Sequence, residues 1–361
     1  MNTLIEALGV IASGHTLGQK INYIRYLFSK RSKKLDYDPV TISIVGTTRC
    51  TLSCDMCPTH SGIVPDEYPH KQKNVKDMDF AMFKDVIDKF KNALTVHIIG
   101  SGEPLLNGDF FKMVDYAASK GMAVKTFSNG TTIKENIENI LNSKLDGITI
   151  SLNGHDSKEF NRMTGMKESV YYEIYDAARR LVEEKKRRAS RVKIKLSFIV
   201  DRQNYNKIPD MVHTSISLGA DHAFFCNFLP APYGDLNSDN RVLLADRRTI
   251  NEINFIFSKY PHSIRRRLTP PVLVDMKSDK NQCKTHFSQI RFDGDGNVSS
   301  CSMMLLNMTC NGSFRDEEVW NNDFFTKMRA SFLSQDDSAL PVPFLACSDN
   351  KGVKIRLKWS L

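Results

Sequence analysis

The sequence contains no run of the roughly 18 consecutive apolar residues that a membrane span needs, so no spanning helix is expected. It also has no basic segment ahead of its first apolar residues. Those residues include Glu6 and lead to no small-residue cleavage site, which argues against a secretory signal. Proline (13) and glycine (19) are too few, and too irregularly placed, for collagen or a low-complexity linker. Neither sign of charge dominates: 50 Lys and Arg against 41 Asp and Glu leave a net +9. The excess sits in short runs at 31–34, 185–191 and 265–267 that read as solvated helix ends, and no nucleic-acid partner is expected. What remains is an ordinary globular composition, 41% hydrophobic and 25% charged, over 361 residues: one large or two ordinary domains.

The eight cysteines are more informative. Cys50, Cys54 and Cys57 stand together, Cys226 stands alone, and Cys283, Cys301, Cys310 and Cys347 form a late set. A cytoplasmic location is expected. In that reducing compartment, clustered cysteines bind metal or do redox chemistry more often than they form disulfides.

Residues 3–29 carry apolar positions at helical spacing, interrupted by Gly14 and Gly18, and suggest two short amphipathic helices packed onto the adjoining domain rather than onto a membrane. From residue 41 short β-rich runs alternate with helical ones: 41–45, 95–99, 123–127, 147–152, 193–200 and 223–228 as strands, with helices between. Such alternation predicts an α/β fold, a partial (β/α)6 barrel of parallel strands with its functional loops at the strands' C-terminal ends. Residues 249–259 read as a further helix and 261–271 as a linker. From Cys283 onward strands are short, and Asp293-Gly294-Asp295-Gly296-Asn297 reads as the turn of a hairpin. The expected units are a helical extension (1–40), the barrel (41–235), a helix and linker (236–275) and a small C-terminal hairpin and helix domain (276–361).

Cys50-x3-Cys54-x2-Cys57 follows the first strand directly, in a loop that can aim three thiolates at one point. Three such thiolates suit a four-iron four-sulfur cluster with one iron left open to a ligand. The alternative is a structural zinc site completed by His60 or His70, although zinc favours paired Cys-x2-Cys knuckles.

This motif in this position resembles the radical S-adenosylmethionine (SAM) superfamily. Further matches come in the family's order at successive strand ends over residues 41–230. Ser101-Gly102-Glu103-Pro104 resembles its Gly-Gly-Glu-Pro, Ser128-Asn129-Gly130 its Thr-Asn-Gly, Ser151-Leu152-Asn153-Gly154 its Ser-Leu-Asp-Gly, and Arg162 the arginine that comes shortly after. The resemblance implies that the open iron chelates SAM, with Glu103 accepting from the ammonium and Gly102 letting backbone approach. It assigns Ser128, Asn129, Ser151 and Asn153 to the ribose and carboxylate, with Arg162 as a fork on the carboxylate. It also implies reductive cleavage of SAM to a 5'-deoxyadenosyl radical that takes hydrogen from a substrate, and a reducing partner such as flavodoxin or ferredoxin.

The late cysteines resemble the auxiliary-cluster domain called SPASM, or its shorter Twitch form. Cys283 and Cys301 flank the hairpin, followed by Gly312, Trp320-Asn321, Phe324 or Phe325, and Arg329 before Cys347. Full SPASM domains have more cysteines, and Asn350 stands where a late Cys-x2-Cys would place its second thiol. One auxiliary iron-sulfur cluster is therefore expected, on Cys283, Cys301, Cys347 and, least securely, Cys310. Buried metal-free thiols are the alternative. Cys226, in Phe224-Phe225-Cys226-Asn227-Phe228, reads either as a small core residue or as a thiol able to give a hydrogen atom to a substrate radical.

Only about 40 residues precede the first strand, fewer than a peptide-recognition domain of about 80 residues would need. The expected substrate is accordingly a small molecule (a sugar, aminoglycoside or nucleoside, dehydrogenated or epimerised), with a ribosomally made peptide as the alternative. A non-catalytic iron-sulfur sensor or scaffold is the rival of another class. It accounts for the thiols but not for Glu103, Asn153 and Arg162.

Overall fold

The computed structural model describes residues 8–67, 71, 74–228, 241–275, 277–278, 282–301, 311–334 and 351–354. Helix α1 (Leu17–Phe28) opens with a capping box, in which Thr16 Oγ1 accepts from Gln19 N and Gln19 Oε1 accepts from Thr16 N. Its buried Gln19 and Asn22 donate to the carbonyls of Lys91, Lys120, Asp38 and Asn92, just ahead of the strands that begin at Thr41, Thr95 and Ala123. The helix is thereby docked on the rim opposite the functional loops.

Strands β1 (Thr41–Thr47), β2 (Thr95–Gly100), β3 (Ala123–Ser128), β4 (Gly147–Ser151), β5 (Lys193–Val200) and β6 (His222–Asn227) pair in parallel in chain order. The intervening helices are α2 (Phe80–Lys89), α3 (Phe110–Ser119), α4 (Ile133–Asn142), α5 (Ser157–Thr164), α6 (Glu168–Arg187) and α7 (Ile208–Leu218). Ile42, Ile44, Ile98, Val124, Ile150, Leu196 and Phe225 point outward into the core beneath the helices. The alternate positions therefore face the barrel interior. Among the described residues no helix is long and apolar enough to cross a membrane.

The expected α/β part-barrel is present, with two additions. The stretch read as helix and linker holds helices α8 (Arg247–Ser258) and α9 (His262–Arg265), and strand β7 (Leu268–Thr269), which pairs in parallel with β6; β8 (Val272–Val274) then pairs with β11 (Gly352–Lys354). The expected hairpin forms from β9 (Gln289–Phe292) and β10 (Val298–Ser299), but β9 also pairs in parallel with β1. The hairpin thus extends the barrel sheet itself, giving the order β10-β9-β1-β2-β3-β4-β5-β6-β7.

Helix α10 (Asp323–Ser334) carries Arg329, which is fully buried. Its guanidinium donates to the carbonyls of His286, Lys33 and Trp320 and to Asn321 Oδ1, and lies 4.2 Å from the centre of the Trp320 ring. One side chain thus ties the N-terminal segment to the hairpin region. Arg329→Met keeps most of the packing but strands buried acceptors. It is expected to destabilise the protein by about 3 kcal/mol or more, read as a lower denaturant midpoint with an unchanged slope.

Candidate active site

The loop after β1 is fixed at several points. The Arg49 guanidinium pairs with Asp77 at 2.5 Å and also donates to the Leu106 carbonyl. Asp55 N donates to the Thr164 carbonyl at 2.8 Å, where α5 ends on Gly165 with φ +70°. A Cβ at Gly165 would lie 2.2 Å from Asp55 Oδ2, so only glycine suits both this turn and this contact.

Cys50, Cys54 and Cys57 all remain partly exposed. Burial first, and then the neighbouring Cys57 and Cys50, push the Cys54 thiol up to about 12. Cys50 is also raised, by burial first. With both thiols raised and no cationic side chain among the causes, Cys50 and Cys54 would become thiolates on binding a metal. Polar contacts already point at their sulfurs: Asn129 Nδ2 donates to Cys50 Sγ at 3.6 Å, His60 N donates to Cys57 Sγ at 3.4 Å, and Thr59 Oγ1 lies 3.1 Å from Cys57 Sγ. An iron-sulfur cluster fits this donor set. Zinc, the alternative, favours paired Cys-x2-Cys knuckles, and the Cys-x3-Cys-x2-Cys spacing is not that pattern. His70 lies outside the described residues.

The loop after β2 packs directly on the cysteine loop. Glu103 N donates to the Arg49 carbonyl at 2.7 Å, and a Cβ at Gly102 would fall 1.8 Å from that same oxygen. Glu103 is only 1% exposed, and its carboxylate accepts from Asn129 N at 2.6 Å and from Leu105 N at 3.3 Å. Burial pushes its carboxyl up, with these amides opposing. Glu103 therefore joins the loops after β2 and β3, a different engagement from the expected contact with an ammonium. Pro104 explains it, because the short 3-10 turn it opens makes Glu103 the N-cap.

Ser128 Oγ accepts from Gly130 N, Ser151 Oγ lies 3.5 Å from Ser197 Oγ, and Asn153 adopts φ +57° beside the β5 edge. Six of the expected residues, Cys57, Ser101, Gly102, Ser128, Asn129 and Ser151, line one cavity of about 490 Å³ that runs into the barrel. Glu103, Asn153 and Arg162 are not in its wall. Arg162 instead donates to Glu159, Gln203 and the fully buried Asp201, which Arg241 also reaches. Sequence reasoning missed Asp201, and it missed His97, Gln289 and Arg291, which form the cavity's deeper wall with Ser43. The available signal was a polar residue at an inward position of an otherwise apolar strand.

Cys283 and Cys301 are both buried, one leading into the hairpin and one leaving it. Cys310 and Cys347 lie outside the described residues. Cys226 is exposed and sits opposite Ile199 in the β5–β6 register, on the inward side, since its neighbour Phe225 packs outward on Phe257.

Residues 44–214 match the model of the radical SAM superfamily. The mycofactocin maturase MftC of Mycolicibacterium smegmatis is 26% identical over 184 residues, covering 50% of this chain and 43% of that protein. The PqqA peptide cyclase of Gluconobacter oxydans is 28% identical over 185 residues, covering 50% of this chain and 47% of its own. Each match therefore spans about half the length of the curated relative. Streptococcus suis SuiB, solved with S-adenosylmethionine and with the precursor peptide SuiA, superposes with TM-scores of 0.60 and 0.58 at 17% identity. The superpositions cover 86% of this chain and 72% and 70% of SuiB, and they show the shared fold. The family works with SAM and a four-iron four-sulfur cluster. Over residues 44–214 the chain carries a radical SAM domain.

Proposed function

We propose that the chain is a radical SAM enzyme that modifies a ribosomally made peptide. The catalytic half of this reading rests on one observation: the three-cysteine loop brings Cys57 into the wall of a cavity that the loops after β2, β3 and β4 also line, with Cys50 and Cys54 as its neighbours. The peptide half is supported by the relatives, one named as a peptide cyclase and one solved with a precursor peptide. The small-molecule preference gives way to it, because the length of chain ahead of β1 is a weaker guide than what similar enzymes act on.

In this reading Cys50, Cys54 and Cys57 hold the cluster, and Asn129, Thr59 and the His60 amide tune its sulfurs. Ser101, Gly102, Ser128 and Ser151 present backbone and hydroxyl groups to SAM from the cavity wall. Glu103 positions two of those loops, Asn153 shapes the turn after β4, and Arg162 offers a fork braced by Asp201. When bound, the cluster and SAM supply a 5'-deoxyadenosyl radical that removes a hydrogen atom from the substrate. Cys283 and Cys301, with Cys310 and Cys347, hold an auxiliary cluster, and a flavodoxin or ferredoxin of the cytoplasm delivers electrons. Cys226, inside the barrel, returns a hydrogen atom where the product is epimerised.

The test is anaerobic incubation of reconstituted protein with SAM, dithionite and uniformly deuterated precursor peptides. Deuterium is expected in 5'-deoxyadenosine. Transfer from deuterated sugars or nucleosides, with none from peptides, would restore the small-molecule reading, and no 5'-deoxyadenosine at all would leave the sensor or scaffold. Solvent deuterium in the product that disappears in Cys226→Ala identifies the thiol as the donor.

A further inference from the structure

The deeper half of the cavity carries a buried arginine whose nearest attractive groups are the Cys301 thiol and Asp293. Arg291 is 4% exposed, faces Ser43 of β1 and Ser299 of β10 in register, and lines the cavity beside His97 and Gln289. Its Nε is buried with no hydrogen-bond partner among the described residues. Two lysines occupy the same inward surface, Lys125 opposite His97 and Lys195 opposite Thr149 and His222. Both lie close enough to His97 to help hold its ring neutral.

The nearby carboxylates are committed elsewhere. Asp293 accepts from the amides of Asp295 and Asn297 and from Asn297 Nδ2 in its own turn. Asp221 is paired with Lys185 at 2.5 Å and accepts from Ile194 N. A buried guanidinium with an N–H left unpaired among the described residues is costly, and a ligand's negative charge would complete it.

We propose that the barrel interior recognises a carboxylate on the substrate, held by the Arg291 fork with Gln289 and Ser43 beside it, in the field of Lys125 and Lys195. This rests on the peptide-modifying reading and narrows it. The modified segment presents either an acidic side chain or a free C-terminus to the cavity, below the reacting position. A guanidinium fork matches the two oxygens of a carboxylate, whereas the neutral His97 adds no charge suited to a phosphate dianion.

The experiment uses cluster-loaded protein with SAM at fixed ionic strength and three probes. N-acetylglutamate α-amide carries only a side-chain carboxylate, N-acetylglutamine only a terminal one, and N-acetylglutamine amide carries neither. Binding is read from the dose-dependent rise of the thermal midpoint. One carboxylate probe is expected to bind, and the one that does identifies the source. Its dissociation constant should rise about tenfold or more in Arg291→Gln, the loss of a charge-assisted hydrogen bond. If Arg291→Gln does not fold, Arg291→Lys and Lys195→Gln are expected to weaken the same probe. Equal binding of the neutral amide, tighter binding of inorganic phosphate, or unchanged affinity in the folded variants overturns the proposal. Wild-type protein is assayed alongside for 5'-deoxyadenosine. Its absence defeats the enzyme reading, while its presence without carboxylate binding defeats only this one.

Discussion

Cys54→Ala is expected to reduce 5'-deoxyadenosine formation by more than about a hundredfold and to lower the iron content by roughly four per chain. Replacing groups that merely orient metal ligands costs about 10- to 100-fold, and Cys54 is placed as a ligand itself. Its position is specific: burial and the two neighbouring thiols keep it protonated until a metal arrives, so its ionisation is coupled to loading. Cys57 N donates to the Cys54 carbonyl and Asp55 N to the Thr164 carbonyl, so the turn holding Cys54 is set by backbone contacts that alanine preserves. The variant should therefore fold and fail at the metal. Iron remaining in Cys54→Ala would be the auxiliary cluster's, and its loss in Cys283→Ala would assign that cluster. A Cys54→Ala protein that still cleaves SAM would remove the three-thiol assignment.

The strand ends were legible because their signals are local. Thr41–Thr47 alternates and then meets three cysteines, and each of the next three strands ends on a short polar motif, so chain order alone placed the loops around one mouth. What depends on distant contacts was not legible. Nothing in Gln289–Phe292 announces a partner some 250 residues earlier, yet its pairing with β1 brings Arg291 to the cavity. Strand β7 is two residues long beside prolines, too short for any period to register. Helix α5, Ser-Lys-Glu-Phe-Asn-Arg-Met-Thr, buries Phe160 and Met163 but is otherwise polar, and the helix carrying Arg162 went unread. Glu103 illustrates the limit for side chains. Its motif was recognised, but the destination of its carboxylate is decided by amides of Leu105 and Asn129 that only the folded loops bring near.

Acid should destabilise this protein unusually early, through two histidines. His97 is held down to about 4 by burial and by Lys125 and Lys195, and His286 to about 3 by burial and Arg329. Both begin from an ordinary value of 6.5. Below that value the unfolded chain binds protons that the folded one refuses, so stability is complete above pH 6.5 and falls as pH drops toward the folded values. Each ring costs up to about 1.4 kcal/mol per pH unit in that window, and from pH 6.5 to 5.0 the two together cost about 3 kcal/mol. That is a large share of a typical net stability of about 5–15 kcal/mol. His97→Gln removes one proton site from the cavity wall, so the stability it loses over the same interval, read from urea midpoints, should be about 1.5 kcal/mol smaller than the wild-type loss. Acid sensitivity of the clusters and carboxylates is common to both proteins and cancels in that comparison. Equal losses in the two would mean that His97 protonates freely in the folded barrel, and that the positive field of Lys125 and Lys195 does not reach it.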